Sequence, residues 1–294
     1  MQGSVISAVI KTARPRQWVK NLFVAAPLVF ARHLDDRHTA LRALAAFAIF
    51  CALSSAVYFW NDVVDIHKDR AHPTKRNRPI PSGLLSIRAA QTIAGTLAAG
   101  GLALATLLSM GFGVCALAYL LINLAYSWKL KHIVYVDVFI IATGFLLRTG
   151  GGALAIDVEA SPYLLVCTGL LALFLGFGKR LHELKQAGTR GAAQRTSLAG
   201  YNASALEAAM WVTGASTLLA YVLYTRSPHT LAFFGTDRMI WTAPFVAFGL
   251  VRFVRILRDR ANGESPTEEM LRDPLFIANL VGFAIVAVLV IYRP

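Results

Sequence analysis

The sequence predicts an all-α integral membrane protein built as a single polytopic domain over residues 1–294. Of its 294 residues, 56% are hydrophobic and only 15% are charged. An average soluble domain is about 45–50% apolar and about 25% charged. Long apolar runs separated by short basic clusters occur along the whole chain. This pattern is typical of a bundle of membrane-spanning helices and disfavours an ordinary soluble enzyme.

The apolar runs predict nine spanning helices, because one span needs about 20 mostly apolar residues. The runs lie near 17–34, 40–61, 88–109, 112–128, 135–156, 161–179, 204–225, 239–257 and 273–292. The run near 17–34 fits the pattern least well, because it contains Lys20, Pro27 and Arg32.

The net charge of +13 supports this count. Cytoplasmic segments of membrane proteins are enriched in Lys and Arg, and nine spans with the N-terminus inside place most basic residues on that side. The sequence therefore predicts a cell (inner or plasma) membrane protein with a cytoplasmic N-terminus. The longest inside segments are 62–87 and 180–203. Because the basic clusters lie between apolar runs rather than on a polar surface, we predict no nucleic-acid partner.

The clearest functional signal is NDVVDIHKD at 61–69, directly after an apolar run. Asn61, Asp65 and Asp69 are four residues apart and share one face of a helix, with Asp62 beside them. Carboxylates at a membrane helix end repel one another unless a cation balances them. Their oxygen atoms suit Mg²⁺, so we predict a magnesium site. The alternative is a solvated helix C-terminus, which the helix dipole disfavours.

A basic loop with Lys75 and Arg78 follows the acidic motif, and prolines and a glycine shape its turns. Cations beside metal-binding acids suit a polyphosphate ester. We therefore predict that Lys75 and Arg78 bind substrate phosphates. Ordinary topogenic charge is the alternative for this loop.

Other polar residues lie at or inside the predicted spans. They are Lys20 in RPRQWVKN at 14–21, Tyr126 and Lys131, Asp137 and Arg148 in the fifth span, and Lys179 and Arg180 at the end of the sixth. Intramembrane charges often mark functional sites, and for Arg148 a structural ion pair is the alternative. Interfacial anchoring is the alternative for the basic and aromatic residues. The segment 14–21 is such an anchor unless it folds toward the acidic motif.

The sequence NDVVDIHKD followed by RNRPIPSG resembles the first aspartate-rich motif, NDxxDxxxD, of the UbiA-type intramembrane prenyltransferase superfamily. Members are nine-helix bundles whose inside loops cap a polar pocket and which use Mg²⁺ to hold a diphosphate. The resemblance implies that Asn61, Asp65 and Asp69 bind Mg²⁺ and that Asp65, Asp69 and Lys131 are catalytic. It also implies that segments 62–87 and 180–203 cap an active site at the cytoplasmic face.

Within the superfamily, RPRQWVKN at 14–21, YSWKLKH at 126–132 and GFGKR at 176–180 resemble one branch. That branch transfers a phosphoribosyl group from phosphoribosyl pyrophosphate to a polyprenyl phosphate of the decaprenyl-phosphate type, a step of cell-wall biosynthesis. Quinone-type branches carry a second aspartate-rich motif where this chain has Lys179 and Arg180. The resemblance and the clusters above imply a set of substrate-binding residues: Lys20, Asp62, Lys75, Arg78, Tyr126, Asp137, Arg148, Lys179 and Arg180.

Two other functions stay open from the sequence. A prenyltransferase that moves an isoprenyl group from its diphosphate to an aromatic or lipid acceptor would use the same acidic motif. A membrane transporter also buries charges, but usually near the middle of the bilayer, whereas these acids cluster at one end of a span. We expect phosphoribosyl pyrophosphate, a polyprenyl phosphate and membrane lipids as partners. Formation of a homo-oligomer is left open.

Overall fold

A computed structural model describes residues 4–190, 200–259 and 266–293 of the chain, with the backbone alone for 187–190. No strand occurs in these ranges, which confirms the predicted all-α class. Residues 191–199 of the predicted cap segment 180–203 lie outside them. The chain divides into two compact units, residues 1–160 and 161–294.

The first unit contains seven α-helices and three 3-10 helices among its described residues. The α-helices are α1 Val5–Ala13, α2 Ala26–Phe30, α3 Arg37–Val64, α4 Ile66–Ala71, α5 Ile87–Leu108, α6 Met110–Trp128 and α7 Val136–Ala155. The 3-10 helices are Pro15–Val24, Lys75–Asn77 and Leu130–His132. Phe50, Phe112 and Tyr119 form part of an apolar core between α3 and α6.

The second unit contains six α-helices and a 3-10 helix among its described residues. The α-helices are α8 Pro162–Arg190, α9 Ala203–Arg226, α10 Pro228–Phe234, α11 Ala243–Asp259, α12 Pro266–Arg272 and α13 Pro274–Tyr292, and the 3-10 helix is Arg238–Thr242. Arg252 on α11 pairs with Asp273 through Nε (3.0 Å) and Nη2 (2.6 Å). Asp273 also caps α13 by accepting a hydrogen bond from the backbone N–H of Phe276.

Eight helices of the described residues are long and apolar enough to cross a membrane. They coincide in order with the predicted spans from 40–61 to 273–292, and the multi-pass prediction is confirmed. The predicted first span near 17–34 is different. There, the 3-10 helix Pro15–Val24 precedes the short helix α2, so the expectation of a regular spanning α-helix is corrected. The physical reason is that buried Gln17 and Asn21 give this segment a polar side that must meet protein groups.

The segment from Arg14 to Leu28 nevertheless follows the length of α3. Arg14 contacts Asp62 near the end of α3, and Leu28 packs with Ala43 near its start. A 3-10 helix rises about 2.0 Å per residue and an α-helix about 1.5 Å. Residues 15–30 therefore extend about 30 Å, which is the thickness of a bilayer hydrocarbon core. The count of nine crossings stays a prediction, and this geometry is compatible with it.

A glycine on α7 makes room for the 3-10 segment. Val24 is fully buried, and a Cβ atom added at Gly152 would lie 2.0 Å from the Val24 carbonyl oxygen. Irregular backbone at membrane depth is tolerated where it is buried in protein. Gly152 provides that burial by letting the two backbones approach.

Arg42 ties together the helix ends opposite the acidic motif. Its Nε donates to the carbonyl oxygen of Ala155 and its Nη2 to that of Leu108, both at 2.9 Å. These oxygens belong to the C-terminal ends of α7 and α5, where a cation is favoured by unpaired carbonyls and the helix dipole. Near the same end, Asp36 caps α3. Hydrogen bonds from the Thr39 hydroxyl and from backbone N–H groups lower the pKa of the Asp36 carboxyl, because they stabilise its charged form.

Candidate active site

The acidic motif lies where α3 ends at Val64 and α4 begins at Ile66. The backbone hydrogen bonds continue through this junction. The N–H of Asp65 donates to the Asn61 carbonyl at 2.9 Å, and the N–H of Asp69 donates to the Asp65 carbonyl at 2.8 Å. Asn61, Asp65 and Asp69 therefore occupy successive turns, as their spacing predicts.

Two arginines bind the carboxylates of Asp62 and Asp69. Arg78 Nη1 lies 2.7 Å from Asp69 Oδ2 and 3.2 Å from Asp62 Oδ1. Arg14 Nη2 lies 2.5 Å from Asp62 Oδ1. Asp62 is 1% exposed and Asp69 is 4% exposed, so both carboxylates depend on these cations for compensation.

Lys131 pairs with the third carboxylate, that of Asp65. It comes from the 3-10 helix Leu130–His132, and its Nζ lies 2.6 Å from Asp65 Oδ1. The Lys131 side chain is 3% exposed, against 17% for Asp65. A buried ammonium is costly without an opposite charge. The fold thus brings together two of the residues that the sequence analysis proposed as catalytic.

The acidic cluster (Asp62, Asp65 and Asp69) and its three cations (Arg14, Arg78 and Lys131) have cancelling formal charges. From the sequence, the carboxylates at this helix end are expected to need a cation that balances them, and Mg²⁺ is the predicted one. In the structure, side chains of the chain itself supply the compensation. Charge balance alone therefore does not require a metal here. The support for a Mg²⁺ site comes from the donor atoms.

The donor atoms do fit Mg²⁺. The ion pairs use a single oxygen of each carboxylate: Oδ1 of Asp62 and Asp65, and Oδ2 of Asp69. The second oxygens and the half-buried Asn61 are hard ligands of the kind that Mg²⁺ prefers. Among the described residues, no group of three or more His, Cys, Asp or Glu side chains is arranged to hold a metal alone. Magnesium usually binds through one or two carboxylates together with water and substrate phosphates, and this donor set suits that mode.

The remaining predicted residues of the first unit differ in burial. Lys75 is exposed in the 3-10 helix Lys75–Asn77, and Lys20 is half-buried in Pro15–Val24. Tyr126 is half-buried near the end of α6, whereas Asp137 is fully buried in the first turn of α7. A carboxylate in the first turn is favoured by the helix dipole.

Arg148 has no carboxylate of the described residues within ion-pair distance, so the alternative of a structural ion pair is not found. It is 6% exposed. Its Nε donates to Asn21 Oδ1 at 2.8 Å, its Nη1 to the Gly144 carbonyl at 2.9 Å and its Nη2 to the Tyr119 hydroxyl at 2.9 Å. These partners belong to the bundle interior and not to the acidic cluster.

In the second unit, Lys179 and Arg180 lie on α8 beside Glu183. The Lys179 side chain is 39% exposed, with Nζ 3.9 Å from Glu183 Oε1. Arg180 is fully buried and its Nη1 pairs with the same carboxylate. Both cations thus pair with the Glu183 carboxylate, and the more accessible of them is Lys179.

Arg14 is the site residue that sequence reasoning did not select. The segment 14–21 was expected to be a membrane anchor unless it folded toward the acidic motif, and the structure shows that it does fold there. The available signal was the dipeptide Arg14-Pro15, because a residue before proline is disfavoured in a helix. Helix α1 ends at this point, and Arg14 takes a left-handed conformation with φ 54°.

Membrane-spanning helices with acids compensated by buried and half-buried cations at one helix end fit a membrane-embedded transferase. Comparison with known families agrees. The chain belongs to the UbiA prenyltransferase family, whose model matches residues 21–291.

Curated relatives cover most of the chain. A protein of Mycolicibacterium smegmatis named decaprenyl-phosphate phosphoribosyltransferase is 36% identical over 228 residues, which is 76% of this chain and 72% of the relative. A protein of the same name from Corynebacterium glutamicum is 31% identical over 301 aligned residues, covering 98% of this chain and 88% of the relative.

Solved structures share the fold. A UbiA homologue from Archaeoglobus fulgidus, determined with GPP and Mg²⁺, superposes with a TM-score of 0.69 at 18% identity and covers 97% of both chains. A digeranylgeranylglyceryl phosphate synthase gives a TM-score of 0.67 at 16% identity and covers 99% of both chains. At these identities the likeness establishes the architecture alone.

Proposed function

We propose that this chain transfers a 5-phosphoribosyl group from phosphoribosyl pyrophosphate to a polyprenyl phosphate of the decaprenyl-phosphate type, with release of pyrophosphate and in the presence of Mg²⁺. The observation that carries the proposal is the 31–36% identity to relatives named decaprenyl-phosphate phosphoribosyltransferase. The acidic cluster and its cations provide the chemical support. We also propose that residues 1–294 act as a single polytopic membrane domain.

The cations of the cluster have a clear task in this reaction. Arg78, with 30% of its side chain exposed, and Lys131 donate charge-assisted hydrogen bonds to the diphosphate of the donor. Asn61, Asp65 and Asp69 would hold the metal at the acidic cluster. When bound, Mg²⁺ supplies Lewis-acid stabilisation of the charge that builds on the leaving pyrophosphate.

The bond between ribose C1 and the pyrophosphate oxygen breaks, and an oxygen of the lipid phosphate forms the new bond to C1. The acceptor phosphate is already anionic, so no strong general base is needed. We therefore assign no catalytic histidine. The side chains of the cluster orient the donor and stabilise the departing charge.

Basic residues outside the cluster suit the additional phosphates of this reaction. The donor carries a 5-phosphate besides its diphosphate, and the acceptor carries another phosphate. We propose Lys179 and Arg180 as ligands of these two groups, with Lys20, Lys75 and Tyr126 as further substrate contacts. Lys75 is exposed, and the half-buried Lys179 keeps 39% of its side chain accessible.

Donor identity can be decided with protein purified in detergent and supplied with Mg²⁺. We expect pyrophosphate release with phosphoribosyl pyrophosphate plus a polyprenyl phosphate, and none with an isoprenyl diphosphate plus aromatic acceptors. The matched control is each mixture with a metal chelator, which should stop release. Release only in the isoprenyl mixture would show that the chain is a prenyltransferase of the same family.

We also propose that the acidic cluster faces the cytoplasm across the inner or plasma membrane, where soluble donor and Mg²⁺ are available. In a background without Cys51, Cys115 and Cys167, a cysteine at exposed Thr74 should resist an impermeant thiol reagent in intact cells and react after lysis. A cysteine at Glu159, which follows the opposite end of α7, should react in intact cells. Reaction of Thr74→Cys in intact cells would show that the acidic cluster faces the opposite side of the membrane.

A further inference from the structure

We propose that Arg148 is a positioning residue that acts on the acidic cluster without touching it. Through Asn21 it fixes the 3-10 helix Pro15–Val24, and the fixed segment holds Arg14 against Asp62. The proposal rests on the proposed function only in requiring a diphosphate ligand at the cluster.

Arg148 connects α7 to the 3-10 helix Pro15–Val24 and to α6 through its guanidinium group. The guanidinium carbon lies 4.8 Å from the centre of the Tyr119 ring and 5.5 Å from that of Phe145, which are favourable cation–π distances. All three nitrogen atoms donate to groups of the protein. A cation at this depth is costly and is usually retained for function. Here each guanidinium nitrogen donates to a protein group, which favours positioning over substrate contact.

Asn21 transmits this bridge from α7 to α3. It is fully buried. Its Oδ1 accepts from Arg148 Nε, while its Nδ2 donates to Ser54 Oγ at 3.2 Å and to Cys51 Sγ at 3.3 Å. Asn21 is thus held from both sides, and the 3-10 helix that carries it cannot slide along α3 without breaking these bonds.

A second anchor lies between Asn21 and the acidic cluster. Trp18 Nε1 donates to Ser55 Oγ at 3.1 Å, and Ser55 Oγ lies at the same distance from the Ala13 carbonyl oxygen. Arg14 follows directly, with its guanidinium 4.9 Å above the Tyr58 ring and 2.5 Å from Asp62. These contacts, together with the backbone between them, connect Arg148 to Asp62.

The position of a 3-10 helix depends strongly on the contacts that hold it, here those of Asn21. Its hydrogen-bond geometry is poorer than that of an α-helix, and long runs are uncommon, so the ten residues of Pro15–Val24 depend on tertiary contacts. A slip by one residue moves the segment about 2 Å. That displacement is enough to break the contact between Arg14 and Asp62, since such bonds are lost beyond about 3.5 Å. Arg148 therefore sets the place of Arg14.

A double-mutant cycle on pyrophosphate binding tests the proposal. We would measure calorimetric affinity for inorganic pyrophosphate with Mg²⁺ in the parent protein, Arg148→Gln, Arg14→Gln and the double variant. We expect each single variant to weaken binding about tenfold, and the double variant also about tenfold rather than about a hundredfold, because both changes remove the same contact. A hundredfold loss in the double variant would show that the residues act independently and overturn the proposal.

Arg42→Gln is the matched control, because Arg42 also donates to backbone carbonyls, and these carbonyls belong to Ala155 and Leu108 rather than to Pro15–Val24. It should lower the melting temperature and leave pyrophosphate affinity unchanged. If Arg148→Gln behaves like Arg42→Gln, Arg148 is merely structural. Pyrophosphate is common to both candidate donors, so failure of the phosphoribosyl assay would leave this cycle intact.

Substitutions of Asn21 give an independent comparison if Arg148→Gln does not fold. Asn21→Asp keeps the acceptor for Arg148 but loses the Nδ2 donor to Ser54 and Cys51, so it should weaken pyrophosphate binding less than Asn21→Leu. Asn21→Leu removes the acceptor and should weaken pyrophosphate binding about as much as Arg14→Gln, without adding to it in the double variant. Equal affinities for the Asp and Leu variants would contradict the role given to the Arg148–Asn21 bond.

Discussion

Asp69→Asn should lower kcat about a thousandfold, which corresponds to about 4 kcal/mol of lost transition-state stabilisation. The substitution removes the charge that would hold the metal and leaves Arg78 paired with Asp62 alone. Because the Arg78 side chain is 30% exposed, water can solvate its released charge, and we expect the fold to persist. Turnover at saturating substrates and a melting curve of the same sample measure the two effects.

Asp65→Asn should cause a similar loss of turnover together with a clear loss of stability. Lys131 is 3% exposed and would keep a buried charge without its carboxylate, which is strongly destabilising. Asp35→Asn is the matched control, since Asp35 is exposed and lies outside the acidic cluster. Near-normal turnover of either cluster variant at limiting Mg²⁺ would contradict the assignment of metal ligands.

Gly152→Ala should destabilise the first unit by about 3 kcal/mol or more, because overpacking against backbone atoms cannot be relieved by a side-chain rotation. The new Cβ would lie 2.0 Å from the Val24 carbonyl oxygen and 3.0 Å from the Val24 Cα. The expected result is a large fall in the melting temperature in detergent. Weaker pyrophosphate binding should accompany it, since the displaced segment carries Arg14.

Gly150→Ala is the control for this substitution, two residues earlier on the same helix. A Cβ at Gly150 meets nothing within 4 Å, and alanine is favoured over glycine in a helix by about 1 kcal/mol. The variant should therefore be as stable as the parent or slightly more stable. If the two alanine variants melt alike, Pro15–Val24 does not pack on α7 as described.

The acidic motif shows how far spacing alone predicts a site. Asn61, Asp65 and Asp69 were placed on one helical face from their four-residue spacing, and the i→i−4 bonds across Asp65 preserve that arrangement. The spacing did not show that side chains of the chain itself balance the charge of the acidic cluster. The compensating cations are Arg14 and Lys131, 48 and 66 residues from their partners, together with Arg78, and no local pattern connects residues so far apart.

For the first apolar run, composition predicts a membrane-embedded segment but not its backbone conformation. Lys20, Pro27 and Arg32 marked the run near 17–34 as irregular. The 3-10 form of Pro15–Val24 depends on partners that the run does not contain. Those partners are the groups on α3 and α7 that bind Asn21, and the backbone of Gly152, which lets Val24 approach closely.

By itself, the sequence determined the all-α membrane class, eight of the spanning helices, the acidic motif and the family resemblance. These features depend on hydrophobicity and helical spacing within short stretches, so the residues that cause them are neighbours in the sequence. Only the tertiary structure decided that Arg14 belongs to the acidic cluster, that Lys131 meets Asp65, and that Arg148 binds Asn21. Such contacts depend on how the helices pack. A buried charge needs an opposite charge nearby because desolvation is costly, and that partner can lie anywhere in the chain.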